Sequence, residues 1–411
     1  MSIATEVRHA GLQDLVALLT EQNAAKVDVI APAAALRAVA GAVHLAGVAP
    51  VVDEHGVTTV DGQYRPTAAA DAQLAAKLDI PAGYLKRLRR DGRTDLWDAN
   101  INGLLHGPTD PMVSGTPDER TFLLRLFASH RPGQPGVLRA VLSDRYGVID
   151  HLDVLTAVLD GIRMADADVQ VRSADLTATS MHCRVFSPKV RALAPGFLAG
   201  YRNPFAHPDF AADRRRAARA LAAGRQLAVG ANEQYQHGSE PVVFAGFRFS
   251  NSETGHHAVT LKPELVVQIC GNGLTLPLFT STRRHLGERL KTGVGAWSQD
   301  TQRKRLAVLT AETRDKVAEW LSPEFLAARI DELEHRAATP VTRPEQAIEV
   351  VSKQLGFTED ERCGILAHFI AGGQLTAAGI ANAVTSYSQT VTDADRATAL
   401  DDCAVEAMTL I

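Results

Sequence analysis

At 411 residues, with 45% hydrophobic and 22% charged residues, the chain is long enough for two or three globular cores and ordinary in composition. Its four cysteines form no CxxC pair and no apolar run reaches about 18 residues. That argues against a structural zinc site or a membrane-spanning helix and predicts a soluble, cytoplasmic protein with reduced thiols. The net charge of −4 conceals an asymmetry: residues 151–305 hold 20 basic and 13 acidic side chains, residues 306–411 hold 8 and 17. A basic centre before an acidic tail fits either a polyanionic partner or two regions that neutralise each other.

Residues 5–48 read as helical, with Leu12, Leu15, Leu18 and Leu19 at helical spacing. Val51–Val52 and Val57–Val60 flank Asp53-Glu54-His55-Gly56, a hairpin signal. A helix from Thr67 and a second one begun by Pro81 give a helix-turn-helix-like outline. Lys86, Arg87, Arg89, Arg90 and Arg93 surround the second helix. Short strands are expected at Phe122–Phe127 and Val137–Leu142, then an amphipathic helix at His151–Met164. Val169–Arg172 and Leu176–Phe186 read as antiparallel strands joined at Ser173-Ala174-Asp175. Pro241–Ser250 and His257–Leu261 read as a hairpin, after an irregular insert, 187–239, that turns strongly basic. The apolar run Leu265–Ile269 ends at a tight-turn signal. The pattern is helical and charged from Ser281 to about Arg336, and four short helices fill 340–411. The reading is α+β. A helical or mixed N-terminal region with a short hairpin covers 1–135. A central region of antiparallel hairpins packed with helices covers 136–336, and a small, acidic, all-helical module covers 337–411.

The turn Ser250–Gly255 concentrates hydroxyls, an amide and one carboxylate. Glu253 there fits a metal ligand or general base, and the hydroxyls and backbone N–H groups fit a phosphate. Ser, Asn, Thr and Gly also favour plain turns. Cys270 would need a base such as His285 to act as a nucleophile, and no known cysteine-enzyme signature surrounds it. His256 and His257, if on a strand, point to opposite faces and cannot easily ligate one metal with His285, His182 or Cys183. The strongest electrostatic feature is the run Arg283, Arg284, Arg289, Lys291, Arg303, Lys304, Arg305 around Trp297, with Arg214, Arg215 and Arg216 in the insert. Such cations neutralise phosphates and an aromatic can stack on a base. They equally suit a solvated helix face. P-loop, GxGxxG, HExxH and GxSxG motifs are absent, which disfavours a nucleotide-driven motor or a standard hydrolase.

Several segments stand in a characteristic order: Tyr64-Arg65-Pro66-Thr67, Gln73-Leu74-Ala75, Ile80-Pro81, Leu96-Trp97-Asp98, Ser143-Asp144-Arg145-Tyr146, Asn251-Ser252-Glu253 before Gly255, Cys270-Gly271-Asn272-Gly273, Arg284-His285, and Asn382-Ala383. In these the chain resembles the phage/plasmid-like proteins of domain-of-unknown-function family 932 over most of its length. Gly271 departs from the pattern, where Thr is expected. The resemblance implies no catalytic residue, and the roles of Asp144, Arg145, Tyr146, Asn251, Ser252, Glu253, Gly255, Cys270, Asn272, Gly273 and His285 stay open. The central order of elements also looks like that of phage single-strand annealing proteins of the Erf and RecT groups. That implies a protein of a phage, prophage or plasmid that binds or anneals single-stranded DNA in replication or recombination. It would be a homo-oligomer and would need no cofactor or metal. The alternatives are a metal-dependent nuclease-like enzyme using Asp144, Glu253 and a histidine, and a non-catalytic structural or host-interaction protein.

Overall fold

Alternation of side chains along a strand decides how the centre of this chain folds. The strand Met181–Leu193 sends Cys183 and Val185 to one face and His182 and Arg184 to the other. Its neighbour Val242–Asn251 matches it, with Phe247 and Phe249 on the apolar face and Arg248 and Ser250 on the polar one. The third strand, Val259–Val267, continues both rows with Leu261 on one side and Thr260, Lys262 and Glu264 on the other. A sheet with one apolar and one charged face needs two different coverings, and the rest of the chain supplies them.

The computed structural model describes residues 4–53, 56–108, 115–129, 133–206, 210, 212, 241–269, 273–276, 279–285, 293–294 and 299–411. Its strands are β1 (Val7–Ala10), β2 (Lys26–Pro32), β3 (Leu36–Val39), β4 (Ala42–Leu45), β5 (Val51–Asp53), β6 (Gly56–Thr58), β7 (Gly62–Pro66), β8 (Thr121–Phe127) and β9 (Gly136–Ser143). They continue as β10 (Gln170–Leu176), β11 (Met181–Leu193), β12 (Val242–Asn251), β13 (Val259–Val267), β14 (Gly273–Thr275), β15 (Ser281–Arg283) and β16 (Gly293–Val294). The helices before β10 are α1 (Leu12–Ala25), α2 (Ala68–Lys77), α3 (Ala82–Arg90), α4 (Thr94–His106) and α5 (His151–Met164). After it come α6 (Gln299–Trp320), α7 (Pro323–Ala337), α8 (Pro344–Leu355), α9 (Glu359–Gly372), α10 (Ala377–Ser388) and α11 (Ala394–Thr409).

The fold is α+β, built on two sheets. The first runs β1-β10-β11-β12-β13-β14, with β15 also on the outer edge of β13. The second runs β16-β2-β8-β9-β7-β4-β3, with β7 and β9 parallel, and β5-β6 form a separate hairpin. The apolar face of sheet one packs on α5 and α6, where Trp320 reaches Phe247. α5 and α6 cross closely at Gly161, whose added Cβ would lie 2.6 Å from Thr313 Cβ. The polar face is covered by α11: Asp401 pairs with Arg184 at 2.6 Å, and Asp402 pairs with Arg248 and with Lys262 at 2.7 Å. α2, α3 and α4 cover one face of sheet two through Leu74, Leu85, Trp97 and Ile101. Thr67 caps α2 by accepting from Ala70 N, and Thr358 with Glu361 forms a capping box on α9.

Most expected elements are present, including α5, the β12–β13 hairpin and the four C-terminal helices. Four readings are corrected. Residues 5–48 are helical only in α1 and in a 3-10 turn at Ala33–Ala35, and β1 to β4 take most of the remainder. Ser173-Ala174-Asp175 is not a turn but lies inside β10, where Asp175 is buried and pairs with Arg8 at 2.9 Å. Residues 187–193 continue β11 rather than open the insert. The stretch after Ser281 begins with strands, not helix. Spatial grouping also crosses the three-part division by chain position. β9 shares a sheet with β8, and the C-terminal helices share one apolar cluster with β1, α1 and sheet one.

Candidate functional site

The distinctive segments meet where the two sheets join. Arg125 on β8 is fully buried and pairs with Asp28 at 2.8 Å and Asp150 at 2.5 Å. Lys26 also pairs with Asp150. Glu253, in the turn after β12, reaches across to Arg139 on β9 at 2.6 Å and accepts the N–H of His151 at 2.5 Å. Burial works against charge on Glu253, but His151, Arg139 and Arg125 hold its carboxyl well below the usual range. Burial pushes His151 down to about 4, so it is neutral, and its Nδ1 accepts from Asn251 at 3.0 Å.

Other motif residues close the same joint. Gln73 donates to the carbonyl of Thr254 and accepts from Val141 N at 2.7 Å. Tyr146 donates to the carbonyl of Ser252 at 2.9 Å and stacks on His285 at 5.0 Å. Ser252 donates to the carbonyl of Thr179 at 2.7 Å. Gly255 takes φ +79°, and a Cβ there would lie 2.8 Å from Leu142, so this turn requires glycine. Thr121 donates to Asp144 at 2.7 Å. Asp144 and Glu253 are thus committed to internal partners. Among the described residues no group of three His, Cys, Asp or Glu side chains could hold a metal ion. The chemistry of this joint is that of an inter-sheet bolt.

One surface beside the joint is basic. The turn after β9 and the end of β15 pair through backbone: Gly147 N donates to the carbonyl of His285 at 3.2 Å. This brings exposed Arg145 to the neighbourhood of exposed Arg284. Arg283 and Arg305 line a small cavity with Val148 and Ile149, and Arg303 and Lys304 are exposed on the first turns of α6. Arg283 faces Glu312 at 3.6 Å and Lys304 pairs with Asp300 at 2.7 Å. Arg283 sits on a strand, so its closeness to Arg305 comes from packing, not from spacing along one helix. Arg214, Arg215, Arg216, Arg289, Lys291, Trp297, Cys270 and Asn272 lie outside the described residues; Gly273 opens β14. The guanidinium groups of α3 and of the turn after it are occupied locally: Arg87 and Arg90 pair with Asp91, and Arg93 with Asp95. Arg89 pairs with Asp71 and stacks 4.0 Å over Trp97.

A second feature had no local signal in sequence. Between the polar face of sheet one and the start of α11 lies a cavity of about 310 Å³. It is lined by His182, Arg248, Ser250, Lys262, Asp395, Asp402, both His256 and His257, and several hydroxyls. The two adjacent histidines lie in the turn before β13 rather than on the strand, which lets both reach one cavity. His182 Nδ1 is 2.8 Å from Ser250 Oγ, and its Nε2 is 2.8 Å from Asp395 Oδ1. The partners lie 68 and 213 residues from His182, which is why no motif announced them.

Among the described residues no helix is long and apolar enough to cross a membrane. No family model, no curated protein and no solved structure matches the chain, so functional inference rests on its own geometry.

Proposed function

We propose that the chain binds single-stranded nucleic acid along the basic edge formed by Arg145, Arg283, Arg284, Arg303 and Arg305. The observation that carries this reading is the meeting, through the Gly147–His285 backbone pair, of a cation from the β9 turn with those of β15 and α6. Arg145, Arg284 and Arg303 are exposed, so phosphates can reach them. A single strand is favoured over a duplex because these cations sit on a turn, a short strand and a helix end. Among the described residues the short Arg-rich helix α3 has its guanidinium groups paired with aspartates. A phage, prophage or plasmid role in annealing or recombination belongs to the same proposal, and such a protein works as a homo-oligomer.

Anisotropy of labelled single-stranded and duplex DNA across a salt series tests it. The wild type is expected to prefer single strands. Replacing Arg145, Arg284 and Arg303 together by Ala should flatten the slope of log K against log salt by about 2, at roughly 0.7 per lost phosphate contact. Replacing Lys86 and Arg87 should change it less. Absence of wild-type binding at about 50 mM salt, where phosphate contacts are strong, would reject the reading. Light scattering with and without DNA tests the assembly: a mass of only 44.1 kDa in both conditions would reject the homo-oligomer.

A further inference from the structure

The cavity under α11 is separate from the basic edge and carries chemistry of its own. We propose that it is a catalytic site in which Ser250 is the nucleophile, His182 the general base and Asp395 the residue that positions the base, acting on small carboxylic esters.

The direction of the hydrogen bonds supports these roles. Asp395 only accepts, so the proton of neutral His182 stays on Nε2, 2.8 Å from Asp395 Oδ1. Nδ1 then presents a lone pair, and the Ser250 hydroxyl donates to it across 2.8 Å. This is the arrangement in which a histidine can take the serine's proton. The ring nitrogens are used in the opposite order from the familiar triad, but each does the same work. Asp395 is itself held: its other oxygen accepts from Thr177 at 2.9 Å and from Thr179, and its backbone lies in the capped first turn of α11. His257 stacks on His182 at 5.6 Å, which fixes the plane of the ring. Burial holds His182 below the ordinary histidine value, which keeps it neutral and ready to accept a proton.

The cavity also offers groups with unspent hydrogen-bonding capacity. Arg248 is buried and lies two residues from Ser250 on the same face of β12. Its Nη1 is buried against Glu264 at 3.6 Å, outside the cavity, and its Nη2 pairs with Asp402, so its guanidinium adds positive charge to the wall. Lys262 donates to Asp402 and retains further N–H groups. The Lys262 ammonium, with the Arg248 charge behind it, suits the negative charge that develops on a carbonyl oxygen under attack. His257 donates from Nδ1 to the carbonyl of Ala258 at 2.9 Å. Its Nε2 is therefore an acceptor, buried and without a hydrogen-bond partner. A volume of about 310 Å³ has room for a small acyl group and alcohol.

The reaction balances without a further reagent. Ser250 Oγ bonds to the ester carbonyl carbon as its proton moves to His182 Nδ1, and the carbonyl oxygen becomes an oxyanion. Collapse breaks the bond to the alkoxy oxygen, which takes the proton from His182 and leaves as the alcohol. Water then attacks the acyl group on Ser250 and gives its proton to His182. Ser250 leaves, recovers the proton, and the carboxylic acid departs. The net change is ester plus water to acid plus alcohol.

The experiment combines labelling of the full chain by a fluorophosphonate probe with hydrolysis of p-nitrophenyl acetate. Mass spectrometry should place the adduct on Ser250, and hydrolysis should start with a burst of one p-nitrophenol per chain. Ser250→Ala should lose the adduct and slow hydrolysis about 1,000-fold or more, with an unchanged circular dichroism spectrum. Asp395→Asn should lower kcat about 100-fold or more with little change in KM, as expected of a positioning residue. A natively folded wild type with no adduct on Ser250 would overturn the proposal. So would a folded Ser250→Ala that hydrolyses the ester at the wild-type rate. If that variant does not fold, the adduct map of the wild type decides alone.

Discussion

His151 sits wholly inside the joint between the sheets, and burial pushes its pKa down from 6.5 to about 4. The unfolded chain therefore binds more protons than the folded one between these values. Stability from this group is complete above about pH 6.5 and is lost as pH falls towards 4, at up to ~1.4 kcal/mol per pH unit and on the order of 3 kcal/mol in all. Glu253 acts lower: its folded pKa is depressed, so its contribution is present above 4.5 and declines as pH falls below that. Urea midpoints should thus drop between pH 7 and pH 4.5, and His151→Gln should flatten that part of the profile. A wild-type midpoint constant over this range would contradict the assignment. Little of this was legible beforehand. Glu253 stood out as a lone carboxylate in a turn, but its partners Arg125 and Arg139 were hidden in apolar runs that read simply as strands.

At the scale of elements, periodicity served the helices well. α5 and the C-terminal helices carry their apolar residues at helical spacing, and Pro344, Gly356, the Thr358 capping box and Gly373 mark helix ends in the C-terminal region, so their bounds could be read closely. Strands β2 to β4 were missed because β3 and β4 are short, the Ala33-Ala34-Ala35 turn separates β2 from β3, and all lie downstream of a true leucine-spaced helix. Their β conformation is fixed by pairing within sheet two, which Val27, Val29 and Ile30 of β2 also favour. Ser173-Ala174-Asp175 has turn composition but belongs to a strand, because Asp175 is neutralised by Arg8 from far up the chain. The crossing of α5 and α6 gives a test at this scale. Gly161→Val would drive a side chain into Thr313 and the Thr310 carbonyl, which lie 2.6 and 2.8 Å from an added Cβ. Overpacking of about 1–3 kcal/mol should then outweigh the gain from removing a helical glycine. Thermal unfolding should show a lower midpoint, and an equal or higher one would mean that α6 shifts freely.

At the scale of the molecule, α11 is the lid that makes a charged sheet face tolerable. Its aspartates hold Arg184, Arg248 and Lys262, and burial would otherwise disfavour these charges strongly. A chain ended after Gln389 should lose its cooperative thermal transition. A truncated protein that melts like the full chain would show that sheet one does not depend on α11. Sheet two draws its strands, apart from β16, from one unbroken stretch, whereas sheet one collects pieces from both sides of it. The pairing of β1 with β10 then has a consequence for biosynthesis. His9 meets Asp175 across 166 residues, and Arg8 donates to the Val391 carbonyl across 383. On the ribosome, sheet two can close while the first strand of sheet one is already outside without a neighbour. That strand must wait for β10, and longer still for the segment before α11, so a strand that emerges ahead of all of sheet two is locked in place after it.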